Sequence, residues 1–286
     1  MIPKQEVLEL AKAQKIAPGI IEKDYVLGWV LAGINQHIAL KEKWIFKGGT
    51  ALKKCFFEEY RFSEDLDFTI LNSNHINHDF LQTVFLEVLT WVYDQTGIEF
   101  AYSQTKFDIH PDAIKQYVTG SIYYSGPLRQ RGSLNKIFLD ILANELLIAP
   151  AYRANIFHPY SDAINTKFFA YCYSLEEIFA EKLRALAERA RPRDLYDVIA
   201  LFKNKLELVD NKIFFPLLQQ KFQFKGIAIP KLNSIYNHSK FNELKNEWNN
   251  MLKHQVSELP EIEIFFDELV LFFNWLDVEI LKYERF

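Results

Sequence analysis

Two stretches of this chain combine residue types that can handle phosphate and metal. The first, Phe46-Lys47-Gly48-Gly49-Thr50-Ala51-Leu52-Lys53, reads as a strand running through paired glycines into a helix. The second, Arg61-Phe62-Ser63-Glu64-Asp65-Leu66-Asp67-Phe68, leads into another strand. Glycines let backbone N–H groups approach an anion closely, and a helix starting there points its dipole at the anion. Thr50 can cap that helix or offer a hydroxyl, and Ser63 can do likewise for a terminal phosphate. Side chains two apart on a strand share a face, so Asp65 and Asp67 can hold a divalent cation together. A third carboxylate, Asp140, lies within the apolar run Ile137-Phe138-Leu139-Asp140-Ile141. Oxygen ligands suit Mg2+ or Mn2+, and two such ions ~3.5–4 Å apart clamp the attacking and leaving oxygens of a displacement at phosphorus. Asp140 would complete that clamp or deprotonate the acceptor hydroxyl. Together these groups meet the needs of nucleotidyl transfer from an NTP.

Each feature alone has a plainer reading. A D-x-D arises by chance in acidic loops, paired glycines make ordinary tight turns, and Asp140 could be a strand-end acid paired with Lys136 or an arginine. Neither G-x-x-x-x-G-K-[ST] nor G-x-G-x-x-G is present, so P-loop and dinucleotide-binding readings lack their fingerprints. The conjunction carries the argument. Downstream, Glu177, Glu181, Lys182, Arg184 and the run Arg189 to Asp197 concentrate charge around an apolar helical pair, by default a solvated face. Lys182, between Ile178-Phe179 and Leu183, falls at the edge of the buried stripe, where its ammonium can meet nucleotide phosphates. Asp194 or Asp197 would hold it in place.

The elements that must position these groups follow from periodicity. Val7 to Gln14 and Glu22 to Ile38 read as helices, residues 43 to 47 and 66 to 71 as strands flanking a helix from Thr50 to Phe57, and residues 72 to 79 as a polar loop. Phe80 to Thr96 has apolar residues at helical spacing before Gly97. Ile98 to Phe107, Gln116 to Tyr124 and Lys136 to Ala143 read as strands, joined by loops holding His110-Pro111-Asp112 and Gly126 to Gly132. Arg129 and Arg131 in the second loop are candidate RNA contacts or a solvent-facing hairpin tip. From Ser174 the pattern is helical, and the last helix, with Phe265, Phe266, Leu269, Val270, Phe272, Phe273 and Leu276, is apolar on more than one stripe, which points to core burial. The expected architecture is α/β: a catalytic region over residues 1–205 and a helical region over 206–286.

With 286 residues, 49% hydrophobic and 15% aromatic, the chain can bury a sizeable core. A net charge of −4 argues against a nonspecific DNA-coating protein while leaving room for a local basic patch that contacts RNA. Cys55 and Cys172 lie far apart without metal-ligand spacing, so neither a disulfide framework nor a zinc site is expected. The N-terminus lacks the apolar run of a signal peptide, and residues 262 to 281 are interrupted by Asp267, Glu268, Asp277 and Glu279. A cytoplasmic protein with no membrane partner is expected.

Four blocks match a known family: Glu22-Lys23-Asp24-Tyr25, Phe46 to Leu52, Arg61 to Asp67, and Ser174 to Leu186 running into Arg193-Asp194-Leu195-Tyr196-Asp197. In these the chain resembles the AbiEii/AbiGii-type toxin nucleotidyltransferases, polymerase-β-like enzymes of type IV toxin–antitoxin and phage-defence systems. The resemblance implies a polymerase-β-like core with a mixed sheet, followed by a C-terminal helical bundle. It also implies that Gly48, Gly49 and Ser63 contact the triphosphate, that Asp65 and Asp67 bind metal, and that Lys182 binds nucleotide. Asp197 would belong to the last motif, with Asp194 the competing assignment. Thr50, Arg61 and Arg193, within the same blocks, join the expected nucleotide-binding set. Family members transfer a nucleotide from an NTP, some to tRNA acceptor ends, and a cognate antitoxin partner is expected. Transfer to a protein hydroxyl, or a catalytically inactive nucleotide-binding module, are the rival readings.

Overall fold

Alternation builds the sheet. Along Asn135–Leu142 the odd residues Ile137, Leu139 and Ile141 are buried while Lys136 and Phe138 are exposed and Asp140 is half-buried. Such a period of two gives a strand one core face and one open face. The computed structural model describes residues 1–111, 116–129, 134–143, 145–163 and 167–283. They form two compact units, Met1–Tyr173 and Ser174–Phe286. Motif content groups the chain at residue 205, whereas compactness divides it after Tyr173.

The first unit opens with helices α1 (Lys4–Gln14) and α2 (Pro18–Gln36), then β1 (Trp44–Lys47) and the short α3 (Gly48–Ala51), which continues as a π-helical turn, Leu52–Phe56. Next come β2 (Asp65–Ile70), α4 (His78–Thr96), β3 (Glu99–Phe100), β4 (Lys106–Pro111), β5 (Gln116–Ser125), β6 (Asn135–Leu142), β7 (Tyr152–Asn155) and β8 (Phe169–Cys172). The sheet runs β3-β5-β6-β2-β1-β8-β7, with β4 also paired to β5. It is mixed: β2 is parallel to β6 and β1 to β8, and the other pairs are antiparallel. Its core face carries Phe46, Leu66, Phe68, Leu139 and Val118, all fully buried, against which α2 and α4 pack. α4 starts where the Asn77 side chain accepts from the Phe80 N–H at 3.0 Å and ends at Gly97, whose φ of 72° is left-handed. α2 is buried on nearly all sides, including Glu22 and Asp24.

The second unit consists of α5 (Leu175–Arg189), α6 (Pro192–Lys205), α7 (Asn211–Lys225), α8 (Leu232–Tyr236), α9 (Phe241–Asn246), α10 (Trp248–Leu252) and α11 (Ile262–Tyr283). Ser174 caps α5 by accepting from the Glu177 N–H, and Pro192 starts α6 where no N–H is needed. Phe179 stacks on Phe214 with centroids 4.9 Å apart, and Phe265, Leu269, Phe272, Phe273 and Leu276 of α11 are buried as expected, whereas Phe266 is half-buried and Val270 exposed.

Three expectations differ. Residues 98 to 107 are not one strand: a 3-10 turn at Tyr102–Gln104 separates β3 from β4, because Gln104 and Thr105 turn their N–H groups back to the Ala101 carbonyl. His110 and Pro111 belong to β4 rather than to a loop, and Asp112 and Arg131 lie outside the described residues. β7 and β8 have no counterpart in the periodicity analysis, since each is only four residues long. Among the described residues no helix is long and apolar enough to cross a membrane.

Candidate active site

The open face of the sheet carries a row of polar residues in direct register. Lys47 of β1 lies opposite Asp67 of β2, Asp67 opposite Asp140 of β6, and Asp140 opposite Thr119 of β5. Paired strands bring facing residues within ~4.5–5.5 Å at Cβ, so the two carboxylates are neighbours although 73 positions separate them in the chain. Asp65 is on the same face two residues earlier, opposite Phe138. One residue pair further along β2, Thr69 bonds the Tyr173 hydroxyl at 2.7 Å, and Ile45, Thr69 and Tyr173 are all buried. Half-buried Asp65, Asp67 and Asp140 therefore mark the accessible end of this face.

The glycine turn is built around these acids. Gly48 has a φ of +81°, a left-handed conformation that favours glycine, and a Cβ there would lie 2.1 Å from Asp67 Oδ2. A Cβ on Gly49 would lie 2.7 Å from Arg61 Nη2 and 3.3 Å from Ser63 Oγ. Both glycines are thus needed for close approach, and the turn, Arg61, Ser63 and Asp67 form one cluster. Arg61 is buried, and its guanidinium donates to the Phe62 carbonyl at 3.3 Å. Thr50 is not the helix cap: Lys47 occupies that position, and the Thr50 hydroxyl donates to the Asp65 carbonyl at 2.5 Å. It ties the glycine turn to the carboxylate strand.

Electrostatics mark Asp140. Partial burial first, and repulsion from Asp67 second, raise its proton affinity above the ordinary carboxylate range, while Lys47 works in the opposite direction. Two acids facing one another, beside the Lys47 ammonium and the Arg61 guanidinium, offer oxygen donors of the kind a hard divalent cation takes. Among the described residues no group of three or more His, Cys, Asp or Glu is placed to hold a metal ion, so Asp65 shares the face of Asp67 and Asp140 without converging on them.

In the second unit, Lys182 of α5 pairs with Asp197 of α6 at 2.7 Å, the acid being fully buried. Asp194, also fully buried, receives a two-pronged contact from Arg189, at 2.7 Å and 2.8 Å. The sequence leaves either acid able to hold Lys182; the fold pairs it with Asp197. Arg193 is half-buried in the first turn of α6, one helical turn before Asp197. The structure thus gathers Gly48, Gly49, Arg61, Ser63, Asp65, Asp67 and Asp140 in the first unit, and Lys182 with Asp197 in the second.

Lys47, in the glycine motif, is a member of this row to which the sequence analysis assigns no role. It is 8% exposed, faces Asp67 and has its ammonium 5.6 Å from the centre of the Tyr173 ring. The signal was present, because alternation through Trp44, Ile45, Phe46 and Lys47 puts Lys47 on the face away from the core. Thr119 was unreadable, since only strand register places it beside Asp140.

Comparison with known proteins identifies the fold and the family. Over nearly its whole length the fold is similar to that of MenT4, a nucleotidyltransferase toxin from Mycobacterium tuberculosis H37Rv, with a TM-score of 0.60, 17% sequence identity, and coverage of 97% of this chain and 90% of that one. No curated protein matches the sequence. Residues 29–270 match the family model described as "Nucleotidyl transferase AbiEii toxin, Type IV TA system". That match spans both compact units and every site residue named above, and the chain belongs to the AbiEii family of nucleotidyltransferase toxins of type IV toxin–antitoxin systems.

Proposed function

We propose that this toxin transfers a nucleotide from an NTP to a hydroxyl at an RNA end, with the tRNA 3′ end as acceptor. The observation that carries the reading is the in-register Asp67 and Asp140 pair set against the Gly48-Gly49 turn. The turn, with Ser63 and Arg61, receives the triphosphate, and Lys182, oriented by Asp197, contributes a further ammonium to the nucleotide, with Arg193 and Asp194 supporting that first turn of α6. Asp65, Asp67 and Asp140 would hold Mg2+ or Mn2+, which supplies charge neutralisation at the phosphates when bound. The acceptor oxygen forms its bond to the α-phosphorus as the bond to the bridging oxygen breaks, and pyrophosphate leaves. Asp140, with its raised proton affinity, suits taking the acceptor proton. The catalytic part is then residues 1–205, working in the cytoplasm and restrained by a cognate antitoxin, with the helices of 206–286 available to partners.

Blocking a tRNA acceptor end stops aminoacylation and so accounts for toxicity through one reaction. The test is incubation with a divalent cation, total RNA and each α-labelled NTP, wild type beside Asp67→Ala, resolved on denaturing gels. Label in a tRNA-sized band, lost in the variant, is the expected result. Label confined to protein would replace the RNA acceptor with a protein hydroxyl, and no label in any fraction would leave a nucleotide-binding module.

A further inference from the structure

α2 carries Glu22, Lys23 and Asp24 in succession, and consecutive helical residues point about 100° apart. Three charged neighbours can all be satisfied only where protein surrounds that turn of helix. Glu22 is 1% and Asp24 3% exposed, so these are not solvated charges on a helix surface. Each reaches a different segment. The Glu22 carboxylate accepts from the Leu128 backbone N–H at 2.6 Å and from Asn135 Nδ2 at 2.8 Å. Lys23 donates to Glu64, the residue before Asp65, at 2.7 Å. Asp24 accepts from Lys54, just beyond the glycine turn, at 2.6 Å and from the Tyr160 hydroxyl at 2.8 Å.

The three gripped segments leave the sheet at one end. β1 runs antiparallel to β2, so its exit into the glycine turn lies beside the entry to β2. β6 runs parallel to β2, so the connection from β5 into β6 arrives at that same end. Sheet order then separates the segments laterally, with β1 on one side of β2 and β6, followed by β5, on the other. A triphosphate seated on the glycine turn puts the leaving pyrophosphate on the β1 side. In-line displacement requires the attacking hydroxyl on the opposite side, where residues 126–129 leave β5 and Asn135 enters β6. Arg129, in the described part of that connection, is exposed and has a left-handed φ of 45°. Gly126 is also seated directly on Glu22, since a Cβ there would lie 2.8 Å from Glu22 Oε1.

We propose that Glu22 is the positioning residue for the acceptor: it holds residues 126–129 and Asn135, the two described ends of the β5–β6 connection, beside which the attacking RNA end is seated, while Lys23 and Asp24 hold the nucleotide side. This rests on the RNA-acceptor reading above. The experiment measures transfer while tRNA and NTP are varied separately, for wild type, Glu22→Ala, Glu22→Asp, Glu22→Gln and Asn135→Ala. Glu22→Ala and Glu22→Asp should raise the KM for tRNA by about 10-fold or more, with the KM for NTP within about twofold of wild type. Glu22→Asp keeps the charge and loses the reach. Glu22→Gln should restore the wild-type KM, because its carbonyl accepts from Leu128 and its amide donates to Asn135 once the Asn135 amide is turned. Asn135→Ala should move the KM for tRNA in the same direction by less, and with Glu22→Asp it carries the test if Glu22→Ala does not fold. An unchanged KM for tRNA in Glu22→Asp and Asn135→Ala, or an equal rise in the KM for NTP, would overturn the proposal. Absence of RNA labelling by the wild type would overturn the RNA reading, and this proposal with it, before any variant is compared.

Discussion

The two charged centres of this molecule are built on opposite principles. On the sheet, Asp67 and Asp140 face one another as like charges, with Lys47 alongside, and burial first and this repulsion second raise the proton affinity of Asp140. In the helical unit, Lys182 meets Asp197 and Arg189 meets Asp194, each pair made of opposite charges around a fully buried acid. The difference separates what a site binds from what it fixes. Facing acids are costly unless positive charge offsets them, so such an arrangement suits a site that takes up a cation. Matched pairs are already complete, so they orient an ammonium without needing a ligand.

The comparison breaks most severely at Asp67. Asp67→Ala should reduce transfer by about 10²–10³-fold or more, while the melting temperature is retained, because the side chain serves chemistry and not the core. A labelling assay beside a thermal melt checks both halves, and full activity would remove Asp67 from the site. Next is Asp197→Ala, where the effect should fall on stability as well. It strands the largely buried Lys182 ammonium, at a cost of about 3–5 kcal/mol, read by denaturant unfolding. Adding Lys182→Met should recover much of that stability and none of the activity, which separates orientation from folding.

Gly48→Ala comes third. Left-handed backbone costs an L-residue ~1–2 kcal/mol, and here the added methyl also meets Asp67, so transfer should fall by more than the melting temperature suggests. The smallest shift is expected from Asp140→Asn, and it has the opposite sign for stability. Asp140 binds its proton more tightly in the folded chain than in the unfolded one. Its ionisation therefore costs stability as pH rises from the ordinary carboxylate range through the raised value. Removing that charge should raise the melting temperature at pH 7 in divalent-free buffer by roughly 2–4 °C. The gain should vanish on acidification below the ordinary range, and transfer should be impaired at every pH. A gain that persists in acid would show that repulsion is not its source.

How much could be read in advance differs between the same two regions. The glycine turn, the D-x-D strand and the charged helical pair were legible because their signals are local: glycines before a helix, carboxylates two apart, apolar residues three and four apart. The split of residues 98 to 107 was not, because a β-prone run mixing aromatic and polar residues gives no sign that Ala101 will accept from Gln104 and Thr105. Strands β7 and β8 escaped for a different reason. Four residues carry too little alternation to stand out, and β8 is fixed by its parallel neighbour β1, far away in the chain.

Glu22, Lys23 and Asp24 show the boundary most plainly. Their order is a sequence fact, yet three adjacent charges on a helix ordinarily mean solvent, and only the packing around α2 turns them into a grip on three separate segments. By itself the sequence determined the chemistry available: glycines suited to phosphate, carboxylates suited to a metal ion and an ammonium on an amphipathic helix, all set by residue type and local spacing. The tertiary structure alone decided which of these groups face one another. Register across β1, β2, β6 and β5 sets Lys47, Asp67, Asp140 and Thr119 in one row, and helix packing chose Asp197 over Asp194 for Lys182. Those contacts join residues far apart in the chain, and strand pairing and helix packing, rather than any local preference, bring them together.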